Sequence, residues 1–468
     1  MSPTPIPRSP IDARVRNEQV LSRKLSAGQQ AMMAVGGAIG TGLFLGSGLA
    51  VNVAGPAVVG AYAIGAFVSL LLGAALTEMC VMHPTAGSFG VYADMYISPF
   101  AGYAVRVSYW LMQIVATGGH MVAVSIYMGY WFPTIPGAVW IIAFSFALIY
   151  LNSRDVATFG RFEYWFAMVK VVAIAIFVVL GVGLATGLLG SASSAAPPVG
   201  RLFPMGVSGM LLAVPFVIYS FIGVEIVGVT SGEARDPQRT IPVAFFRLVV
   251  GLSVIYLVTT TLLVRLVPWQ ELGVGESPFV KVLGQVGFPG AASLMNVVVL
   301  SAALSSANAN LYLISRTMFS LGRGGYVPQW LGAVTTNGTP LRALLLSSVG
   351  LGAAVVVRAV WPDTAYVWFF GVALFGALFV WLMIFVTHLA FRRHYDRQAS
   401  EAIVRRVRFG RAASGGGAAA IAVVLISTWW VPDLRMTLLA GGPWLAVLAI
   451  GYRMSRRPVD PPVPGTEA

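Results

Sequence analysis

The chain has 468 residues, of which 57% are hydrophobic and only 10% charged, against about 25% charged in ordinary soluble domains. Mean hydropathy is +0.80 and net charge is +13. This composition excludes a soluble globule, and the single cysteine, Cys80, excludes an intramolecular disulfide.

Residues 1–30 are polar and have no apolar core ahead of a cleavage site, so they read as a tail and not as a removable signal peptide. Apolar runs then recur to residue 453, each near the length of about 20 residues that crosses a bilayer as a helix. Twelve spans are expected: 31–52, 56–82, 101–131, 137–151, 163–189, 206–232, 243–267, 288–321, 341–360, 364–391, 413–430 and 435–453. The fourth is short and the eleventh is glycine-rich. The fold class is thus an all-α polytopic membrane protein, embedded in a lipid bilayer.

The positive charge follows the membrane and does not indicate nucleic acid. With the N-terminus inside, cytoplasmic segments hold Arg8, Arg14, Arg16, Arg23, Lys24, Arg154, Arg161, Arg235, Arg239, Arg323 and Arg342. They also hold the run from Arg392 to Arg411 and the tail residues Arg453, Arg456 and Arg457. The outer loops keep only Arg201, Arg265, Lys281, Arg358 and Arg435. That asymmetry places both termini in the cytoplasm. The 392–411 run reads as a solvated cytoplasmic surface. Arginine outnumbers lysine 27 to 3, which points to a GC-rich bacterial genome.

Two spans look irregular. Residues 34–48, AVGGAIGTGLFLGSG, carry six glycines in the first span, and each interior glycine costs a helix about 0.8–1 kcal/mol against alanine. Ser220 to Glu225 interrupt the sixth span. Matched interruptions in two halves point to an inverted-repeat transporter with a midplane site. At such a break, freed N–H groups attract an anion and freed carbonyls attract a cation. An α-amino acid carries one of each. Glycines four apart, as in Gly36/Gly40 or Gly42/Gly46, fit close helix packing equally well on spacing alone. A dinucleotide fingerprint is excluded, because neither a preceding strand nor a βαβ unit is present.

GGAIGTGLF at 36–44 resembles the first-helix signature of the amino acid–polyamine–organocation superfamily, and looks most like its bacterial amino acid permeases. The resemblance continues through PTAGSFGVYADMYISPFAGY at 84–103, EYWFAMVKVVAI at 163–174 and FIGVEIVGVTSGEARDPQRTIP at 221–242. LSAALSSANANLYLISRTMFSLGRGGYVP at 300–328 completes it, so that it covers roughly residues 20–450 in order. It implies a five-plus-five inverted repeat, residues 31–189 and 206–391, followed by two helices at 413–453 and a tail at 454–468. It also implies uptake of an amino acid together with a proton. Backbone amides matching Thr41 and Gly42 would hold the carboxylate, with Gly40 supplying the turn. Carbonyls at Ala38 or Ile39, with Tyr219 and Ile222 beside Gly223, would hold the ammonium group. Tyr219 matches the family's aromatic gate, with Phe221 the second candidate.

Each ionisable residue inside a span needs a reason, since a charge at the bilayer centre costs about 2.5–3.5 kcal/mol on insertion scales. Glu225 follows the sixth-span break, as a proton site or as a support for the broken helix. Glu233, near the cytoplasmic end, reads as a partner of Arg235 or Arg239, with a proton-coupling or gating role the alternative. Lys170 is the only lysine in a span interior, ten residues beyond Arg161, or about 15 Å along the axis. In proton-coupled relatives a lysine here takes the place of a sodium ion. Glu78, before PTAG, reads as a gate or a structural pair. His120 stands mid-span where many relatives carry a carboxylate, so it could handle protons, contact substrate or serve structure. Ser305, Ser306, Asn308 and Asn310 form a polar patch in the eighth span, and Trp368, Phe369 and Phe370 an aromatic cluster in the tenth.

The leading expectation is a proton-coupled amino acid importer in the cytoplasmic membrane. An exchanger of the same fold is the alternative, and a transport-inactive sensor a third class. No metal-ligand spacing, paired carboxylates or cofactor motif marks an enzyme.

Overall fold

The computed structural model describes residues 37–85, 87–153, 156–189, 202–234, 236–285, 289–323, 325–335, 339–397 and 410–455. Among the described residues the fold is helical, with no β-strand. Ten helical stretches are long and apolar enough to cross a membrane, and a shorter apolar helix covers Gly137–Asn152.

The first stretch runs from Gly42 to Met82. It opens on a π-turn, Gly42–Gly46, and continues as α1, Ser47–Ala54. Gly55 then adopts φ +61° ahead of Pro56, a pairing that ends one helix and starts the next, α2, Val58–Met82. This junction falls within the interval expected between the first two spans. A short helix α3, Ser88–Tyr96, leads to α4, Pro99–Gly129. Helix α4 begins where the Ser98 hydroxyl accepts the Ala101 N–H at 3.2 Å, with Pro99 at the first helical position. Then come α5, Gly137–Asn152, and α6, Val156–Ala185.

The second half starts with α7, Gly206–Phe221, which breaks and resumes as the single turn α8, Ile226–Val229. Helix α9, Pro237–Leu266, is followed by α10, Pro278–Gly284, and α11, Ala291–Arg323. The ninth expected span is two pieces joined at Ser348, α12, Leu341–Ser347, and α13, Val349–Val360. Helix α14, Ala365–Arg397, is six residues longer at its C-terminal end than the pattern of apolar residues predicts. The last two are α15, Gly410–Ser427, and α16, Arg435–Met454.

Burial separates a centre from a periphery. In α4, 83% of the apolar window is buried, against 28% in each of the stretches holding α15 and α16. Helix α4 packs on α14, α11 and α13, while α1 packs along α7 and α2 along α9. The polar side chains of α4 and α11 therefore face protein, where lipid would leave them unsatisfied. The last two helices lie outside, α15 against α14 and α2, α16 against α14 and α4.

Candidate functional site

The two interrupted helices meet. At the first break the helical trace stops after Ala38, and Ile39 and Gly40 form a bend before the π-turn. The Gly40 N–H donates back to the Ala38 carbonyl at 3.1 Å, closing a tight local turn. At the second break Ile222 is extended (φ −60°, ψ 135°) and Gly223 has φ +110°. Only glycine adopts that conformation cheaply. A Cβ on Gly223 would lie 3.0 Å from the Cα of Ala38, so the two backbones touch.

Close approach explains the centre of the glycine run. A Cβ on Gly42 would stand 3.1 Å from the Cα of Ser220, and one on Gly40 would stand 2.7 Å from the Ser306 hydroxyl. Gly37 faces Ile226, Gly46 faces Phe370, and a Cβ on Gly48 would overlap the Gly273 carbonyl. These three serve packing. Gly36 lies outside the described residues.

Three successive peptides of the first break have their carbonyls occupied. The Gly40 carbonyl accepts the Phe44 N–H at 3.3 Å. The Thr41 carbonyl accepts the Tyr366 hydroxyl at 3.1 Å, and the Gly42 carbonyl accepts the Ser220 hydroxyl at 3.1 Å. Because a trans peptide holds C=O and N–H in opposite directions, the N–H groups of Thr41, Gly42 and Leu43 point the other way, toward the start of the helix. Thr41 does not cap with its side chain. Its Oγ1 instead meets His120 Nδ1 at 2.8 Å. On the opposing side the Tyr256 hydroxyl donates to the Ser220 carbonyl at 2.7 Å and lies 3.4 Å from the Ala38 carbonyl. Tyr62 lies 3.4 Å from the Ser220 hydroxyl and completes this chain of hydroxyls.

The other expected residues divide by location. Tyr219 is buried beside the break, its ring 3.9 Å from that of Phe370. Phe221 is fully buried with its ring edge against Tyr256. Glu225 folds back on its own break: both carboxylate oxygens accept the Gly223 N–H, at 3.2 and 3.0 Å, and the Trp381 indole donates to it at 3.4 Å. Lys170 is completely buried in α6 and within electrostatic range of His120. In the eighth-span patch Asn308 accepts from Asn152 at 2.8 Å, which ties α11 to α5. Ser306 faces the first break instead. The Glu233 and Arg235 side chains lie outside the described residues, and Arg239 is 3.9 Å from Asp236 with both side chains exposed.

Glu78 stands apart from the breaks. It is buried, with Arg392 Nη2 donating to Oε2 at 2.8 Å and Arg392 Nε 2.8 Å from Oε1. His388 Nε2 is 3.0 Å from Oε2, and its Nδ1 meets the Ser414 hydroxyl at 2.7 Å. This corrects the reading of the 392–411 run as solvated surface at Arg392 alone; Arg393 is exposed, and residues 398–409 lie outside the described residues. Arg392 continues α14 inward and is 6% exposed, because a buried carboxylate needs a cation beside it. Composition of the run hid this: the cue was Glu78, an acid with no acidic or basic neighbour in its own span. Tyr62, Tyr256, Tyr366 and Trp381 left no such cue, since an aromatic in a span is ordinary core. Among the described residues no group of three or more His, Cys, Asp or Glu could hold a metal ion.

Comparison with known proteins supplies the context. The model of the amino acid permease family matches residues 29–457. The chain is 33% identical to the uncharacterized amino acid permease YtnA of Bacillus subtilis, over 93% of this chain and 96% of that protein. It is 32% identical to the probable threonine/serine transporter YbxG of Bacillus subtilis, over 92% and 94% of the two chains. The aromatic amino acid transport protein AroP of Escherichia coli is also 32% identical, over 94% of this chain and 97% of its own.

Proposed function

The chain belongs to the amino acid permease family, and from that premise we propose that it imports an L-amino acid across the cytoplasmic membrane by proton symport with alternating access. As members of that family are transporters, the protein is a multi-pass membrane permease for amino acids and not an enzyme.

The observation that carries the site is the contact between the two breaks, Gly223 against Ala38. A zwitterion in the gap would place its carboxylate on the N–H groups of Thr41 and Gly42. Its ammonium would go to carbonyls of Ile39, Tyr219 and Ile222. The Ala38 carbonyl, which accepts the Gly40 N–H at 3.1 Å, is the alternative to that of Ile39. Tyr219, its ring against that of Phe370 beside the break, suits the gate better than Phe221, which is locked in the core.

In this reading Gly55 divides the first stretch into two spans and Gly137–Asn152 is a further one, so there are twelve. Residues 31–189 and 206–391 form the two inverted repeats, 413–453 the added helices, and both termini are cytoplasmic. Lys170 carries the coupled proton. Glu225, bonded to the Gly223 N–H, supports the second break, and His120 orients the first through Thr41. Glu78 locks helices together through Arg392, away from the substrate.

The test is uptake into substrate-free proteoliposomes driven by an inward proton gradient. Accumulation without internal substrate is the expected result. Transport only against internal amino acid would replace the importer with an exchanger.

A further inference from the structure

Tyr366 touches the first break from a helix far away in sequence. It sits in the first turn of α14, 3% exposed. Its hydroxyl donates to the Thr41 carbonyl at 3.1 Å. A carbonyl oxygen has two lone pairs, so this bond is compatible with the i→i+5 pattern of the π-turn that begins at Gly42. The same turn packs closely at Gly46, where a Cβ would lie 3.2 Å from Phe370 Cε2, while the Tyr366 hydroxyl at 3.7 Å would be in ordinary contact.

The peptide joining Thr41 to Gly42 is rigid. Fixing its carbonyl therefore fixes the direction of the Gly42 N–H on the opposite edge. Ser220 does the same for the next peptide by holding the Gly42 carbonyl at 3.1 Å. Thr41 itself is gripped twice, by Tyr366 at the carbonyl and by His120 at the hydroxyl. A helix that ended in a side-chain cap would spend its first N–H groups on that cap. Here the Thr41 hydroxyl is held by His120, and the structure shows no side-chain cap at this helix start.

We infer that Tyr366 is a positioning residue for amino acid recognition: by holding the Thr41 carbonyl it aims the Gly42 N–H at the carboxylate of the bound substrate. This rests on the reading of Thr41 and Gly42 as the carboxylate site. Tyr366 does not itself touch substrate in this arrangement. It determines which end of the substrate the break accepts, so its loss is felt as weaker discrimination in favour of a free carboxylate. The element that carries it, α14, thereby sets the geometry of a site built by α1 and α7.

The experiment uses the full-length protein in proteoliposomes. Uptake of the twenty proteinogenic L-amino acids identifies those transported by the parent. Each transported amino acid is then set against its own α-carboxamide, which keeps the side chain and loses the negative charge. The parent should prefer the carboxylate form strongly. Tyr366→Phe keeps the ring and removes the hydroxyl. It should raise KM about three- to tenfold, the range expected for one hydrogen bond. Vmax should be retained, and the preference for carboxylate over carboxamide should shrink by the same factor. Ser220→Ala, which releases the next peptide, should show the same pattern and serves if Tyr366→Phe does not yield folded protein. Parent-like KM and parent-like preference in the folded variants would overturn the positioning role. A parent that accepts carboxamide as well as carboxylate would instead overturn the carboxylate site. A parent that takes up none of the twenty would overturn the transport reading, and this inference with it.

Discussion

Glycines 42 and 46 sit in one π-turn and serve different ends. Gly46 makes room for an aromatic ring, and Gly42 lies against the backbone of Ser220. A ring can shift by a few tenths of an ångström, whereas the Ser220 backbone is held by Tyr256 at its carbonyl. Gly42→Val should therefore raise KM by more than about tenfold, or about 1.4 kcal/mol, in an uptake assay with the transported amino acid. An unchanged KM would remove Gly42 from the site. Thr41 is the complementary case. The sequence singles it out for its backbone amide, and its hydroxyl is spent on His120 in another helix. No local rule reveals that partner, since His120 is 79 residues away.

Among the elements, the second break depends on one dihedral. Gly223 at φ +110° lies where a side chain costs about 1–3 kcal/mol, and the Cα of Ala38 is 3.0 Å from a new Cβ. Gly223→Ala should lower both thermal stability in detergent and substrate affinity, read together by a thermal-shift titration, because a ligand that binds only the folded state raises its apparent stability. Normal ligand-induced stabilisation would show that the break tolerates ordinary helix geometry.

The Glu78–Arg392 pair joins α2 to α14, and His388 extends the link to Ser414 on α15. Glu78→Gln leaves a buried guanidinium uncompensated, a change that costs about 3–5 kcal/mol. The melting temperature should fall clearly, and the double variant Glu78→Gln/Arg392→Gln should recover part of the loss. Equal stability of parent and Glu78→Gln would mean that the pair contributes nothing. Glu78 was legible as an acid in need of a partner. The identity of that partner was not, because Arg392 belongs to a charge run whose simplest reading is surface.

For the whole molecule, the outcome at issue is the coupling of substrate to protons. Lys170 is fully buried, and snorkelling to the interface does not explain its depth. Lys170→Ala should abolish uptake driven by a proton gradient while the protein still folds, as judged by its elution profile and by exchange of amino acid across the membrane. Full retention of gradient-driven uptake would exclude the lysine from coupling.

Hydropathy alone dictated a helical membrane protein, since runs of apolar residues of bilayer length permit no other ordered backbone. The glycine and aromatic motifs carried the family and the positions of both breaks, because a break in a membrane helix leaves a local mark in glycine content. What filled those breaks was decided by tertiary packing. The Thr41 and Gly42 carbonyls are held by Tyr366 and Ser220, 325 and 178 residues distant. A hydroxyl bonded to a carbonyl requires only that two helices pass side by side, and that leaves no trace in the sequence around either residue. The meeting of Gly223 with Ala38 is of the same kind: each segment announced its own irregularity, and only the folded bundle set one against the other.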